Sequence, residues 1–235
     1  MKKWQLDENS DPRNHISNRK ILKNPTKAST ILNAAEHVFA NKGFHEATIS
    51  DIAKKANVSE ATIYDYFSSK EELLFSIPKE ETLRHLEKSE ELLQYIQGAA
   101  NKLRMLIYRH LNLYNKNPNY AKVVMLILKT NRKFLNTEAY KTVQASGKLT
   151  IQVLEEGIKN GEFRPDIQPY TIRAMIYGTI DHLATRKSLL GKPDDLLSLA
   201  DDITKAVFHG ILLPQKKREL TVHVTVEQKK VRKPK

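Results

Sequence analysis

The chain has 235 residues, of which 40% are hydrophobic and 28% are charged, a composition typical of globular proteins and unlike that of disordered chains. The lack of cysteine excludes disulfides and thiolate zinc sites, and the lack of a long apolar run or a signal-peptide pattern predicts a cytoplasmic protein with no membrane partner. The formal net charge of +12 favours a polyanionic partner, and DNA is the first candidate.

Residues 1–25 are polar and lack a sustained period, so we expect a flexible N-terminal arm. The first helix is predicted from about Lys27 to Asn41, and Gly43 is its predicted C-terminal stop. Its helical spacing directs five apolar residues inward: Ile31, Leu32, Ala35, Val38 and Phe39.

Residues 48–70 contain two short helical patterns separated by a tight polar turn. Thr48 is expected to cap the first helix and to form a capping box with Asp51. Asn57 tolerates the left-handed backbone of a turn, and Ser59 can cap the second helix. Three residues of the second helix are expected to face inward: Ala61, Ile63 and Phe67. The layout predicts a helix-turn-helix motif whose second helix lies in the major groove of DNA.

Residues 34–74 resemble the DNA-binding domain of the TetR family of bacterial transcriptional regulators. The resemblance is carried by the pattern Val58-Ser59-x-Ala61-Thr62-Ile63-Tyr64-x-Tyr66-Phe67-x-x-Lys70-x-x-Leu73. Many members have glycine where Ala61 stands, and alanine suits a helix interior at least as well. The resemblance implies a homodimeric repressor that binds a pseudo-palindromic operator in double-stranded DNA and is released by a small-molecule inducer.

Six residues match the family's candidates for DNA contact: Thr48, Ser59, Thr62, Tyr64, Tyr66 and Lys70. Hydroxyls and helix-start amides can bind phosphate oxygens, and Lys70 adds a positive charge. Base reading would fall to the exposed side chains of the second helix and its approach, namely Ser59, Glu60, Ala61, Thr62 and Asp65. One of Lys54 and Lys55 is expected to face DNA, and we choose Lys54.

The rest of the chain shows only helical patterns, and the fold class is predicted to be all-α. A three-helix helix-turn-helix domain at residues 26–74 precedes a helical ligand-binding and dimerisation domain at residues 75–213. The helix after Lys70 is expected to kink or break at Pro78. Later helices are predicted at 99–115, 120–134, 137–159, 169–190 and 194–211. Residues 214–235 form a basic tail, either a solvated extension or an additional non-specific attraction to DNA.

The last two predicted helices are apolar on more than one face, and such a helix is buried on two sides. Their apolar stripes include Met175 and Thr179 in the first helix, and Ala200 and Ile203 in the second. In the TetR family the final helix pair packs against its counterpart in a second subunit, and the resemblance implies the same dimer here.

Helical bundles commonly enclose ligand cavities, and an inducer pocket is therefore predicted in the C-terminal domain. Our candidate pocket residues are His110, Tyr114, Met125, Arg132 and Tyr177. Residues 73–78, 154–163 and 175–181 also resemble TetR-like regulators of fatty-acid metabolism that respond to acyl-coenzyme A. A different apolar, aromatic or cationic inducer stays open.

The sequence contains no phosphate loop, no G-x-S-x-G motif and no H-E-x-x-H motif, and we expect neither an enzyme nor a bound metal or cofactor. The alternative is an architectural, low-specificity DNA-binding protein without an inducer. It fits the positive charge but leaves the large apolar C-terminal region without a purpose.

Overall fold

The structure is a computed structural model that describes residues 25–213. Ten α-helices follow one another in this range, and its one strand-like pairing is an isolated bridge between Phe163 and Leu212. The predicted all-α fold class is confirmed. Apart from Pro25, where the first helix begins, the predicted arm of residues 1–25 and the basic tail at 214–235 lie outside the described residues.

The first three helices are α1 (Pro25–Glu46), α2 (Ile49–Ala56) and α3 (Glu60–Tyr66). Inside α1 the helical backbone is interrupted at Gly43, the predicted stop, where φ is 76° and ψ is 174°. Glycine adopts this conformation readily because it has no Cβ. All five residues that were predicted to face inward from the first helix are buried in the core.

Helix α4 (Lys70–Leu93) crosses the expected domain boundary at residue 74 without interruption. A kink or a break was predicted at Pro78, but the helix continues through this residue and does not break. Proline removes one amide donor from the helix, but Leu73, Leu74 and Ile77 are buried beside it and hold the preceding turn in place. As a result, one continuous helix joins the two domains.

Helix α5 (Ala99–Lys116) ends before Asn117 as predicted, and α6 (Pro118–Lys122) runs directly into a π-helical segment, Val123–Leu128. The predicted single helix at 120–134 is therefore wrong, because the chain turns after residue 128 and forms a short 3-10 helix, Phe134–Asn136. All six residues of the π-helical segment are apolar, so their periodicity gives no sign of the wider turn.

The predicted helix at 137–159 is divided at Gly147 into α7 (Glu138–Ser146) and α8 (Lys148–Lys159). A Cβ at Gly147 would overlap the guanidinium of Arg173, so the division coincides with a close contact to a neighbouring helix. That neighbour is α9 (Pro169–Leu190), which ends at Gly191 as predicted. A 3-10 turn (Leu197–Leu199) then leads into α10 (Ala200–Ile211).

Helix α4 packs against α1 on the N-terminal side and against α5 and α7 on the C-terminal side, while α5 also packs against α8, α9 and α10. The carboxylate of Glu162 accepts hydrogen bonds from the amides of Ala99 (2.8 Å) and Ala100 (3.1 Å) at the start of α5. A negative charge at a helix N-terminus stabilises the helix. Glu162 thus holds the N-terminus of α5, a helix that also lines the cavity described below.

Candidate functional site

The start of α2 carries the predicted capping box. The Thr48 hydroxyl oxygen accepts a hydrogen bond from the Asp51 amide (3.1 Å), and the Asp51 carboxylate accepts from the Thr48 amide (3.1 Å). Lys42 also binds this carboxylate at 2.6 Å. The hydrogen bonds from Lys42 and then from Thr48 lower the pKa of Asp51 to about 2. The capping box therefore provides acceptors for two backbone amides at the start of α2.

The turn between α2 and α3 has the predicted conformation. Asn57 lies in the left-handed region with φ of 53°, and its amide donates to the carbonyl of Lys54 at 3.3 Å. Ser59 caps α3 by accepting from the Thr62 amide at 3.1 Å, and the two hydroxyls lie 2.9 Å apart. The cap therefore orients the Ser59 and Thr62 hydroxyls as a pair at the start of α3.

Helix α3 turns Ile63 inward and leaves a continuous set of exposed side chains on and before it: Ser59, Glu60, Ala61, Tyr64 and Asp65. The expectation that Ala61 faces inward is wrong. Ile63 and Phe67, four residues apart, occupy the inward stripe, and Ala61 lies about 200° around the helix from Ile63. Its exposure is compatible with the base-reading role that was also predicted for it.

The remaining predicted DNA-contact residues differ in their surroundings. Lys54 is exposed, as is Thr48, whereas Thr62 and Tyr66 are half-buried. Lys70 is also half-buried, and its ammonium donates to the carbonyls of Phe44 (2.9 Å) and Ala47 (2.8 Å). The same group lies 4.6 Å from the centre of the Phe44 ring. Lys70 therefore fastens the start of α4 to the end of α1, a role that the sequence did not suggest.

A cavity of about 320 Å³ lies in the C-terminal domain between α4, α5, the π-helical segment, α7, α8 and α9. Three of the five predicted pocket residues line it: His110, Tyr114 and Tyr177. The cavity wall is predominantly apolar, and a few hydroxyls and ring nitrogens interrupt it. Such a lining is typical of sites for small apolar ligands.

Two predicted pocket residues do not line this cavity. Met125 is buried elsewhere, because the π-helical segment presents Val124 and Leu128 to the cavity instead. Arg132 lies on the turn that follows this segment, and its exposed side chain lines a shallow groove with Phe44 and Glu71 at the junction with the DNA-binding domain. Both predictions assumed a regular helix that the chain does not form.

Stacked rings form the polar part of the cavity wall. The rings of His110 and Tyr177 lie 4.5 Å apart and nearly parallel, and Tyr114 meets His110 edge-on at 5.2 Å. The Tyr177 hydroxyl is hydrogen-bonded to that of Thr150 at 2.8 Å. His85 contributes a further imidazole, 6.2 Å from that of His110. The polar wall therefore joins residues from α4, α5, α8 and α9.

Both cavity histidines are neutral near pH 7. Burial lowers the pKa of His110 to about 4, with smaller contributions from the positive charges of Lys129 and Arg173. Burial also lowers the pKa of His85 to about 3, assisted by His110 and Arg109. A neutral imidazole can both donate and accept a hydrogen bond, so both rings make the wall polar without adding charge. Lys129 also lines the cavity, and its ammonium is paired with the carboxylate of Asp181.

The sequence-based prediction missed the cavity residues on α4, which are Pro78, Thr82, His85, Leu86 and Ser89. A signal was present, because Thr82, His85 and Ser89 interrupt the inward stripe of α4 at helical spacing. The aromatic residues Tyr120, Phe134 and Tyr140 were also missed, since they stand at or beside helix ends where no period extends.

A second surface is formed by the exposed faces of α9 and α10. Met175 is 61% exposed, although it belongs to the stripe that was predicted to be buried. The exposed positions near Met175 on α9 are small or weakly polar: Ala174, Gly178, Thr179 and His182. Helix α10 exposes the small residues Ala206 and Gly210 beside charged ones such as Asp202 and Lys205. A Cβ added at Gly178 or Gly210 would meet no atom within 4 Å. The surface is therefore flat enough for another helix to approach closely.

Among residues 25–213, no group of three or more metal-binding side chains is placed to hold an ion. None of the helices in the same range is long and apolar enough to cross a membrane.

Residues 31–77 match the model of the tetR family of bacterial regulatory proteins, and residues 79–210 match that of the C-terminal region of YsiA-like proteins. A fatty acid metabolism regulator protein of Bacillus subtilis (strain 168) is 32% identical over 79% of this chain and 95% of its own length. The crystal structure of the regulator FadR from Bacillus subtilis in complex with stearoyl-CoA aligns with a TM-score of 0.73 at 31% identity, covering 77% of this chain and 98% of that one. The fatty acid degradation regulator FadR of Bacillus halodurans aligns with a TM-score of 0.74 at 29% identity, covering 78% and 95%.

Proposed function

Because this chain belongs to the tetR family of bacterial regulatory proteins, we propose that it represses transcription in the cytoplasm as a homodimer that fatty acyl-coenzyme A releases from its operator. The observation that carries the proposal is the partly enclosed, mainly apolar cavity in the C-terminal domain. The similar FadR from Bacillus subtilis has been crystallised with stearoyl-CoA. An architectural protein has no use for such a cavity, so the alternative is not favoured.

In the proposed DNA complex, α3 enters the major groove. Phosphate contacts come from Thr48, Lys54, Tyr64 and Tyr66, and base contacts come from Ser59, Glu60, Ala61 and Thr62. The exposure of Ser59, Glu60, Ala61 and Tyr64 supports this assignment. Lys70, the remaining DNA-contact candidate, is assigned to anchoring α4 and not to a phosphate, because its ammonium already binds two backbone carbonyls.

The proposed dimer forms through α9 and α10, whose exposed faces include Met175, Gly178 and Gly210. A partner helix on these faces would bury the exposed thioether of Met175. Two recognition helices about 34 Å apart would then read the two halves of a pseudo-palindromic operator. Met175→Asp should convert the dimer into monomers in analytical ultracentrifugation, whereas the exposed control Tyr95→Asp on the loop after α4 should remain dimeric.

Release follows from α4, which belongs to both sites. Its residues Pro78, Thr82 and Ser89 line the cavity or its wall, and its first residue, Lys70, is fastened to the end of α1. A second link joins the two parts, because Lys133, beside the cavity residue Phe134, forms an ion pair with Glu71 at 3.8 Å. A ligand that displaces α4 therefore moves the DNA-binding domain, and operator affinity falls by the ligand's preference for the displaced state.

The test is a fluorescence-anisotropy titration with an operator selected from genomic fragments by the protein itself. Dodecanoyl-CoA should release the protein from this DNA, whereas coenzyme A alone should not, because only the acyl group can fill the cavity. If no acyl-CoA of any length changes the operator affinity, the proposed function is wrong.

A further inference from the structure

The cavity has measurable dimensions along α4. It is lined from Pro78 to Ser89, eleven residues apart, which corresponds to about 16 Å at a rise of 1.5 Å per residue. Its volume is about 320 Å³. These two quantities limit both the length and the bulk of the group that the cavity can enclose.

The wall resists expansion because its side chains are connected to each other. Thr150 of α8 is hydrogen-bonded to Tyr177 of α9, and Tyr177 stacks on His110 of α5. The rings of Tyr114 and Tyr120 stack at 6.0 Å and connect α5 to α6. An additional group would have to separate these pairs, and overpacking a connected interior is costly.

Volume and length give similar capacities. At the roughly 30 Å³ that one water-sized group occupies in a liquid, the cavity holds about 11 such groups. A zigzag chain with bonds of about 1.5 Å advances about 1.25 Å per bond, so about 13 bonds fit along 16 Å. Both values correspond to a saturated acyl group of medium length.

We propose that the cavity selects medium-chain acyl groups of about 10 to 14 carbons, shorter than the stearoyl chain seen in the similar FadR. This inference rests on the proposed function, since it names the acyl class that the same site accepts. The connected ring wall of His110, Tyr114, Tyr120 and Tyr177 sets the limit. Chains that exceed it either remain partly in water or force the wall apart.

The test is an isothermal titration of the full-length protein with octanoyl-, decanoyl-, dodecanoyl-, tetradecanoyl-, hexadecanoyl- and octadecanoyl-CoA, each below its micelle concentration. Each methylene that enters the cavity should tighten binding about fourfold. The gain should stop between decanoyl- and tetradecanoyl-CoA. A gain that continues to octadecanoyl-CoA overturns the length limit but leaves the proposed function intact, whereas binding by none of the six overturns both.

Two variants test the wall itself. Tyr177→Ala removes a ring from the wall, so the affinity should continue to rise up to longer acyl chains than in the natural protein. Tyr177→Phe keeps the ring and loses only the hydroxyl that is hydrogen-bonded to Thr150, so the affinity should stop rising at the same chain length as in the natural protein. A Tyr177→Ala protein that binds operator normally but has an unchanged chain-length profile contradicts the assignment of the limit to this wall.

Discussion

Lys70 could either hold α4 in place or bind DNA, and the variant Lys70→Met distinguishes these two roles. Methionine keeps most of the side-chain length but removes the ammonium that donates to the carbonyls of Phe44 and Ala47. A hydrogen bond to a charged group contributes about 1.5–3 kcal/mol to stability. Because Lys70 is half-buried and water can replace it at either carbonyl, we expect a loss of about 2 kcal/mol in the free energy of unfolding.

The DNA measurement uses the salt dependence of operator affinity. Each phosphate contact contributes about 0.9 to the slope of the logarithm of affinity against the logarithm of salt concentration. If both Lys70 side chains of a dimer bound phosphate, Lys70→Met would reduce the slope by about 1.8. With the ammonium already bound to two carbonyls, we expect a change of less than about 0.5.

Lys54→Met is the matched control, because Lys54 is exposed on α2. It should leave urea unfolding unchanged and should reduce the salt slope by about 1.8. Unfolding curves at one fixed protein concentration, together with anisotropy titrations at several salt concentrations, measure both quantities. The structural role of Lys70 is refuted if Lys70→Met unfolds like the natural protein and reduces the salt slope as Lys54→Met does.

Three further predictions concern stability. Burial, with help from the negative charge of Glu81, raises the pKa of Glu36 from 4.5 to about 7. The folded state therefore binds this proton more tightly than the unfolded state, and the stability that the protonated carboxyl contributes is intact below about pH 4.5 and is lost as the pH rises through about 7. Because glutamine does not ionise, the free energy of unfolding of Glu36→Gln should rise relative to that of the natural protein by on the order of 1 kcal/mol between about pH 5 and pH 8, as measured by urea unfolding. The value is reduced because Glu36 is partly exposed to solvent. Gly157→Ala should cost about 1–3 kcal/mol, because the new Cβ would overlap the Phe163 ring, while Gly178→Ala should cost nothing in the folded monomer. Thr48→Ala removes the cap of α2 and should cost about 1 kcal/mol, measured by thermal unfolding.

The DNA-binding domain was largely predictable because its decisive contacts are local. Thr48 is hydrogen-bonded to Asp51, and Ser59 to Thr62. Each pair is only three residues apart, so both caps can be recognised from the order of residues in the sequence. The contacts of Lys70 span 23 and 26 residues, and no spacing rule reveals them. The lysine was therefore assigned to DNA on the basis of its charge and its place in the motif alone.

The cavity was predictable only where helices are regular. His110 and Tyr114 belong to the helical stripe predicted for α5, and both line the cavity. Tyr177 also lines it, although the stripe predicted for α9 did not include it. Met125 and Arg132 were misplaced because the wider π-helical turn and the chain reversal after it changed the direction of each side chain. An unbroken apolar run contains no information about which of its residues faces a cavity.

The π-helical segment at Val123–Leu128 has an evolutionary consequence. A π-helix bonds each residue to the fifth along the chain and an α-helix to the fourth, so loss of one codon within this segment would return it to α-helical geometry. Because one π-turn and one α-turn each complete a single turn, the side chains outside the segment would keep their directions, and only those within it would be redistributed relative to the cavity. Related proteins can therefore acquire a differently shaped cavity through a single small deletion, with no change in α3, α9 or α10.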